Sequence, residues 1–286
     1  MRLTTIGANA FNNFKGRITL KILNMLKSID DGAFKQASNT SSVVEITGKW
    51  KWLTTIGSDA FREFKGTITL KNLNVLTTIG NYAFNLATHT DNVVEITDEN
   101  ALTTIGANAF NNFKGTITLQ NLNLLKSIGN YAFNLATHTE SVVSIPDENA
   151  LTTIGANAFM DFKGTITLKN LNNLVYIGLN AFYKGGNADS VINKCGPKLN
   201  DASVVRTVLD ALEDYKGSII YERSDICGEG TTTNENCKCV PNYKKICGDG
   251  TTNNNGVCNP DYDKIIGHGQ TKNNNGVCNP DYTKIC

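Results

Sequence analysis

Residues 53–74 read LTTIGSDAFREFKGTITLKNLN, and residues 76–100 read LTTIGNYAFNLATHTDNVVEITDEN. Both open on Leu-x-x-Ile-Gly-x-x-Ala-Phe, and both go on to a short β-prone segment. The phrase LTTIG begins at Leu3, Leu53, Leu102 and Leu151, steps of 50, 49 and 49 residues, and each step divides into two half-units, as at Leu53, Leu76 and Leu102. About eight half-units, typically of 23 or 26 residues, fill residues 1–194. A fixed period of about 20–29 residues with fixed apolar positions is the signature of a leucine-rich solenoid.

The alternation inside each unit says how it folds. In Thr67-Ile68-Thr69-Leu70, Ile68 and Leu70 point one way and Thr67 and Thr69 the other. Val94 and Ile96 point inward around Glu95 in the long half-unit. Leu53, Ile56, Ala60, Phe61, Phe64, Ile68, Leu70 and Leu73 form one apolar set per coil. Burying each large member contributes roughly 1.5–3 kcal/mol. Ordering the coil's backbone costs roughly 1–2 kcal/mol per residue. A single coil therefore breaks even or loses, and stacking on neighbours makes the array stable. Gly57, Gly80, Gly106 and Gly155 follow the isoleucine and read as tight bends, and Gly66, Gly115 and Gly164 read as corners before each strand. No phosphate-binding glycine motif is present.

The remaining composition excludes several function classes. Lys and Arg number 27 against 26 Asp and Glu, a net charge of +1 over 286 residues. That balance argues against nucleic acid as a partner and against attraction to an anionic membrane. No apolar run is long enough to insert in a bilayer. No signal peptide is visible at MRLTTIGANAF, and the chain stops at Cys286 inside a repeated tail phrase, so both ends are expected to be truncated.

The Ile-Gly-x-x-Ala-Phe core and the 23-residue half-unit resemble the BspA-like leucine-rich repeat family, over Leu3 to about Asn193. The family often carries Cys where this chain has Phe64, Phe113 and Phe162. The resemblance implies a curved right-handed solenoid, mostly β with short irregular or helical convex segments and one short parallel strand per coil on the concave side. It also implies a surface adhesin or antigen.

Regularity fails after Phe182. Over Asp201–Tyr215, Val204, Val205, Val208, Leu209 and Leu212 fall at helical spacing, and Ser218-Ile219-Ile220-Tyr221 reads as one more strand. Residues 195–224 are therefore expected to form a C-terminal cap of one helix and a last strand. Residues 225–286 repeat on another period, ICGDGTTNNNGVCNPDYDK and IIGHGQTKNNNGVCNPDYTK, with too few apolar side chains for a core. Disulfides are the expected substitute. The candidates are Cys195, Cys227, Cys237, Cys239, Cys247, Cys258, Cys278 and Cys286, with the pairing left open. Only Cys237-x-Cys239 approaches a zinc spacing. Asn253-x-Asn255-Gly256 and Asn273-x-Asn275-Gly276 mimic half of a calcium loop without its closing Glu, and Asn-rich turns are the preferred reading. No metal or other cofactor is expected.

Catalysis finds no support. His89 and His138 hold the same place in successive long half-units, His268 lies in the tail, and no H-E-x-x-H or nucleophile elbow appears. A near-identical array does not easily supply the single asymmetric constellation an enzyme needs. What it supplies is a repeated polar surface. On the concave side, Thr69, Glu95, Thr118, Ser144 and Thr167 would form a row flanked by Thr67, Thr116 and Thr165 and by Lys71, Gln120 and Lys169. Thr is also simply a good β-surface residue, but extended concave surfaces are what solenoids use for binding. A Thr row of the kind found on ice-binding solenoids is interrupted here by Glu95. The leading expectation is a non-enzymatic secreted or cell-surface protein that binds protein or glycan ligands on host or neighbouring cells. The alternatives are a structural spacer or self-associating coat, and a cytosolic interaction scaffold.

Overall fold

The computed structural model describes residues 3–194 apart from 22, 24, 48–51 and 172, residues 211–221 apart from 213, and four short strands between 231 and 260. The chain divides into two compact units, Met1–Ile220 and Tyr221–Cys286.

The first unit is a β-solenoid of eight coils, beginning at Leu3, Leu26, Leu53, Leu76, Leu102, Leu125, Leu151 and Leu174. Each coil carries two parallel strands rather than the one expected. The Thr-Ile of each opening phrase forms a narrow sheet of eight two-residue strands: Thr5–Ile6, Ser28–Ile29, Thr55–Ile56, Thr78–Ile79, Thr104–Ile105, Ser127–Ile128, Thr153–Ile154 and Tyr176–Ile177. The later β-prone segments form a broad sheet of nine: Thr19–Lys21, Val43–Ile46, Thr67–Lys71, Val93–Ile96, Thr116–Leu119, Val142–Ile145, Thr165–Leu168, Val191–Lys194 and Ser218–Tyr221. The last of these continues the broad sheet. Within the expected helix, residues 201–210 and Glu213 lie outside the described residues, while Ala211 is fully buried and Tyr215 meets the Phe182 ring edge-on at 5.9 Å. Burial there pushes the Tyr215 phenol well above its ordinary range.

A third ladder joins the coils between the sheets, through the Gly-x-x-Ala-Phe-x-x-Phe turns. In coil 3 the amides of Asp59, Phe61 and Glu63 donate to the carbonyls of Asn81, Ala83 and Asn85 in coil 4, at 2.8, 2.6 and 2.8 Å. The intervening amides close i to i+3 turns, Ala60 on Gly57, Arg62 on Asp59 and Phe64 on Phe61. Asp59 and Glu63 have φ of 56°, the left-handed second position of a type II turn. Backbone polar groups thus stay paired through a segment without regular strand.

The interior is the apolar set read from the sequence. Leu53, Ile56, Ala60, Phe61, Phe64, Ile68, Leu70 and Leu73 are all buried. Phe11, Phe34, Phe61, Phe84, Phe110, Phe133, Phe159 and Phe182 stack in one column, with neighbouring centroids 4.9–5.4 Å apart. Phe64, Phe113 and Phe162 meet that column edge-on at 5.6–6.0 Å. Each aromatic pair adds about 0.5–1.5 kcal/mol beyond its burial.

The glycines act differently from the expected bends. Gly57, Gly80, Gly106 and Gly155 do not have positive φ. A Cβ on Gly106 would instead stand 2.6 Å from the Asn81 amide nitrogen of the coil before it. Gly115 likewise faces the Asn92 carbonyl oxygen with no room for a side chain. Stacking distance, not turn geometry, requires these glycines.

In the second unit Thr231–Thr233 pairs antiparallel with Cys239–Pro241, and Thr251–Asn254 with Val257–Pro260. In the second of these pairs Asn254 stands opposite Val257. Cys239 and Cys258 fall in these strands, and Cys195, Cys227, Cys237, Cys247, Cys278 and Cys286 lie outside the described residues.

Candidate functional site

The outward face of the broad sheet is built by strand alternation. Ile68, Leu70, Val94, Ile96, Ile117, Leu119, Val143, Ile145, Ile166 and Leu168 go inward and are fully buried. Thr67, Thr69, Lys71, Glu95, Thr116, Thr118, Gln120, Ser144, Thr165 and Thr167 are half-buried, and Lys169 is exposed. All the site residues expected from sequence therefore share one face.

Their register differs in part from a single row. Glu95 stands beside Thr118 and Ser144 beside Thr167, as expected, but Thr69 and Thr116 both neighbour Val93, and Thr118 and Thr165 neighbour Val142. Val43, Val93 and Val142 are half-buried between the threonines. The sequence reading passed over these valines, because in Val-Val-Glu-Ile it counted only the inward Val. Their signal was available: the first Val and the Glu share one parity.

The close ion pairs lie at one end of the face. Lys21 pairs with Glu45 at 3.2 Å and Lys71 with Glu95 at 3.0 Å. Two coils on, the same two positions hold Gln120 and Ser144, so the pair becomes an amide and a hydroxyl. Lys169 reaches Asp147 at 3.9 Å. The Thr165 hydroxyl accepts from Asn187 Nδ2 at 3.0 Å, and the Thr116 hydroxyl lies 3.5 Å from His138 Nε2. Both side chains come from the loop before the following strand. The edge of the face is fixed by buried polar side chains. Ser42, Asn92, Ser141 and Ser190 accept from the amides of Ile18, Ile68, Ile117 and Ile166 at 2.9–3.1 Å.

The narrow sheet presents a second, unanticipated surface. Thr5, Ser28, Thr55, Thr78, Thr104, Ser127 and Thr153 stand in strict register, one hydroxyl per coil. Thr54, Thr77, Thr103 and Thr152, one residue earlier, donate to carbonyls of the preceding coil and serve the stack. Among the described residues no three or more His, Cys, Asp or Glu side chains cluster as a metal site would require, and no helix is long and apolar enough to cross a membrane.

The model of the BspA type leucine-rich repeat region matches residues 4–139 and 77–195, in six copies. The chain belongs to the BspA-type leucine-rich repeat family. No curated protein and no solved structure matches it. The family assignment accounts for the eight-coil array, and the two-sheet cross-section shows how this member builds its coils. The tail beyond residue 195 lies outside the matched region.

Proposed function

We propose that the protein is a non-enzymatic, surface-associated interaction protein that binds an extended protein or glycan along the outward face of the broad sheet. Membership of the BspA-type family supports an interaction role at a cell surface. The observation that carries the choice of face is its grading across coils, from the Lys71–Glu95 ion pair to the uncharged Gln120 and Ser144. A linear ligand lying across the strands would meet the ion pairs of coils 1–4, then hydroxyls and amides over coils 5 and 6, then Lys169 in coil 7, with Val93 and Val142 supplying apolar contact. Repetition at about 4.8 Å per strand suits a partner that is itself repetitive.

The test is solid-phase binding of the full chain to arrayed glycans and immobilised matrix proteins. Saturable binding to a subset, weakened by Lys71→Glu, is the expected result. Uniformly flat binding across the panel contradicts the proposal.

A further inference from the structure

The turn ladder carries an oddity that neither the fold nor the broad face explains. Each turn has two left-handed positions, and in coils 5 and 7 they hold short polar residues: Asn108 and Asn112, Asn157 and Asp161. Asn and Asp adopt this conformation readily. In coils 4 and 6 the same positions hold Tyr82 with Leu86 and Tyr131 with Leu135, all at φ of 55–57°. A bulky side chain there costs roughly 1–2 kcal/mol. Burial does not require it, since Tyr82, Tyr131 and Leu135 are 38–41% exposed, with Tyr82 receiving the Arg62 guanidinium at 5.4 Å from its ring centre. The repeat contains the better local choice one coil away and does not use it. Such a departure at a strained, exposed position points to contact with a partner.

The pattern specifies the partner. Inter-coil hydrogen bonds align the left-handed residues in two rows, so bulky and short pairs alternate over coils 4–7, flanked by Asp59 and Glu63 in coil 3 and by Asn180 and Lys184 in coil 8. That gives ridges and grooves of equal period, about 4.8 Å apart. A two-fold axis in this face, along the strand direction and between coils 5 and 6, sets coil 6 on coil 5, coil 4 on coil 7 and coil 3 on coil 8. Tyr131 and Leu135 then face the second copy's Asn108 and Asn112, and Tyr82 and Leu86 face its Asn157 and Asp161. At both margins Glu63, which within its own chain lies 3.4 Å from Arg62 Nε and accepts from Gln36 Nε2 at 3.1 Å, meets Lys184. Lys184 stacks its ammonium on the Tyr183 ring at 4.8 Å and makes no ion pair among the described residues. Every ridge meets a groove and opposite charges meet at the ends, the self-complementarity an isologous interface requires. The net charge of +1 leaves little overall repulsion to oppose it.

We infer that the protein pairs with a second copy of itself, antiparallel, through the turn face of coils 3–8. The contact is separate from the broad sheet, so ligand binding and pairing can fail independently. Six coils span about 29 Å in a narrow band, and the affinity expected is modest.

Sedimentation equilibrium of the full chain, with thiols kept reduced so that the tail cannot cross-link copies, tests this. A concentration-dependent monomer–dimer equilibrium is expected. The quadruple variant Tyr82→Asn, Leu86→Asn, Tyr131→Asn, Leu135→Asn should weaken it more than tenfold while its β-sheet circular dichroism stays intact, because Asn suits the backbone at each site. Glu63→Lys should weaken pairing, and adding Lys184→Glu should restore it. A wild-type monomer at all concentrations overturns the inference. So does a dimer that the quadruple variant leaves unchanged, or a charge swap without rescue.

Discussion

Odd and even coils share most of an interior, apart from the buried Phe64, Phe113 and Phe162 of odd coils where even coils place Ala37, Ala87 and Ala136, and differ more on the outside. Coil 5 and coil 6 both bury Leu, Ile, Ala, Phe, Ile or Val, and Leu or Ile at matching positions, and Phe110 and Phe133 stack at 5.4 Å with nearly parallel rings. Outside, coil 5 presents Asn108, Asn112, Thr116 and Thr118, where coil 6 presents Tyr131, Leu135, Val142 and Ser144. Stacking disciplines every atom that faces a neighbouring coil, and solvent leaves the others free to be spent on recognition.

The comparison breaks most easily at the phenylalanines. Phe110→Ala and Phe133→Ala should each destabilise by about 3–5 kcal/mol, and by similar amounts, because both rings sit fully buried in one column. Urea midpoints measure this, and a clear gap between the two variants would show that the rings of the column do not contribute equally.

Next in size is Gly106→Ala. Its Cβ would stand 2.6 Å from the Asn81 nitrogen, so the two coils must part, at about 1–3 kcal/mol. Thermal melts should register the loss. An unperturbed melting temperature would return these glycines to the role of simple bends.

A smaller effect sharpens the contrast in the turns. Tyr131→Asn and Tyr131→Ala remove the same ring, but only Asn tolerates a φ of 56°. The Asn variant should be more stable than the Ala variant by about 1 kcal/mol. Equal stabilities would mean the left-handed backbone carries no strain there.

The smallest is the Lys71–Glu95 pair. With 40% and 26% of the side chains exposed, a double-mutant cycle should give at most about 1 kcal/mol, shrinking as salt rises.

Much of this was legible in the residues, and the reason is periodicity. The inward and outward parity of Thr67–Leu70 needs only the two-residue pleat, and the apolar set of each coil needs only the repeat. The narrow sheet was not legible because two-residue strands such as Thr104–Ile105 are too short to show alternation. The third ladder was hidden for another reason. Asn108 and Asn112 signal left-handed backbone, but Tyr131 and Leu135 at equivalent positions mask it. The outward parity of the broad-face valines was legible, but their place beside the threonines was not, because register between strands is a tertiary property, set by loops of unequal length.

The two sheets offer the most direct test of the assigned face. Thr118→Asp with Thr167→Asp alters the broad face, and Thr104→Asp with Thr153→Asp alters the narrow one, each by two carboxylates on half-buried strand positions. Binding of both full-length variants to the same arrayed glycans and immobilised matrix proteins should fall at least tenfold for the first and stay near wild type for the second. Loss through the narrow-face variant with the broad-face variant still binding would contradict the account.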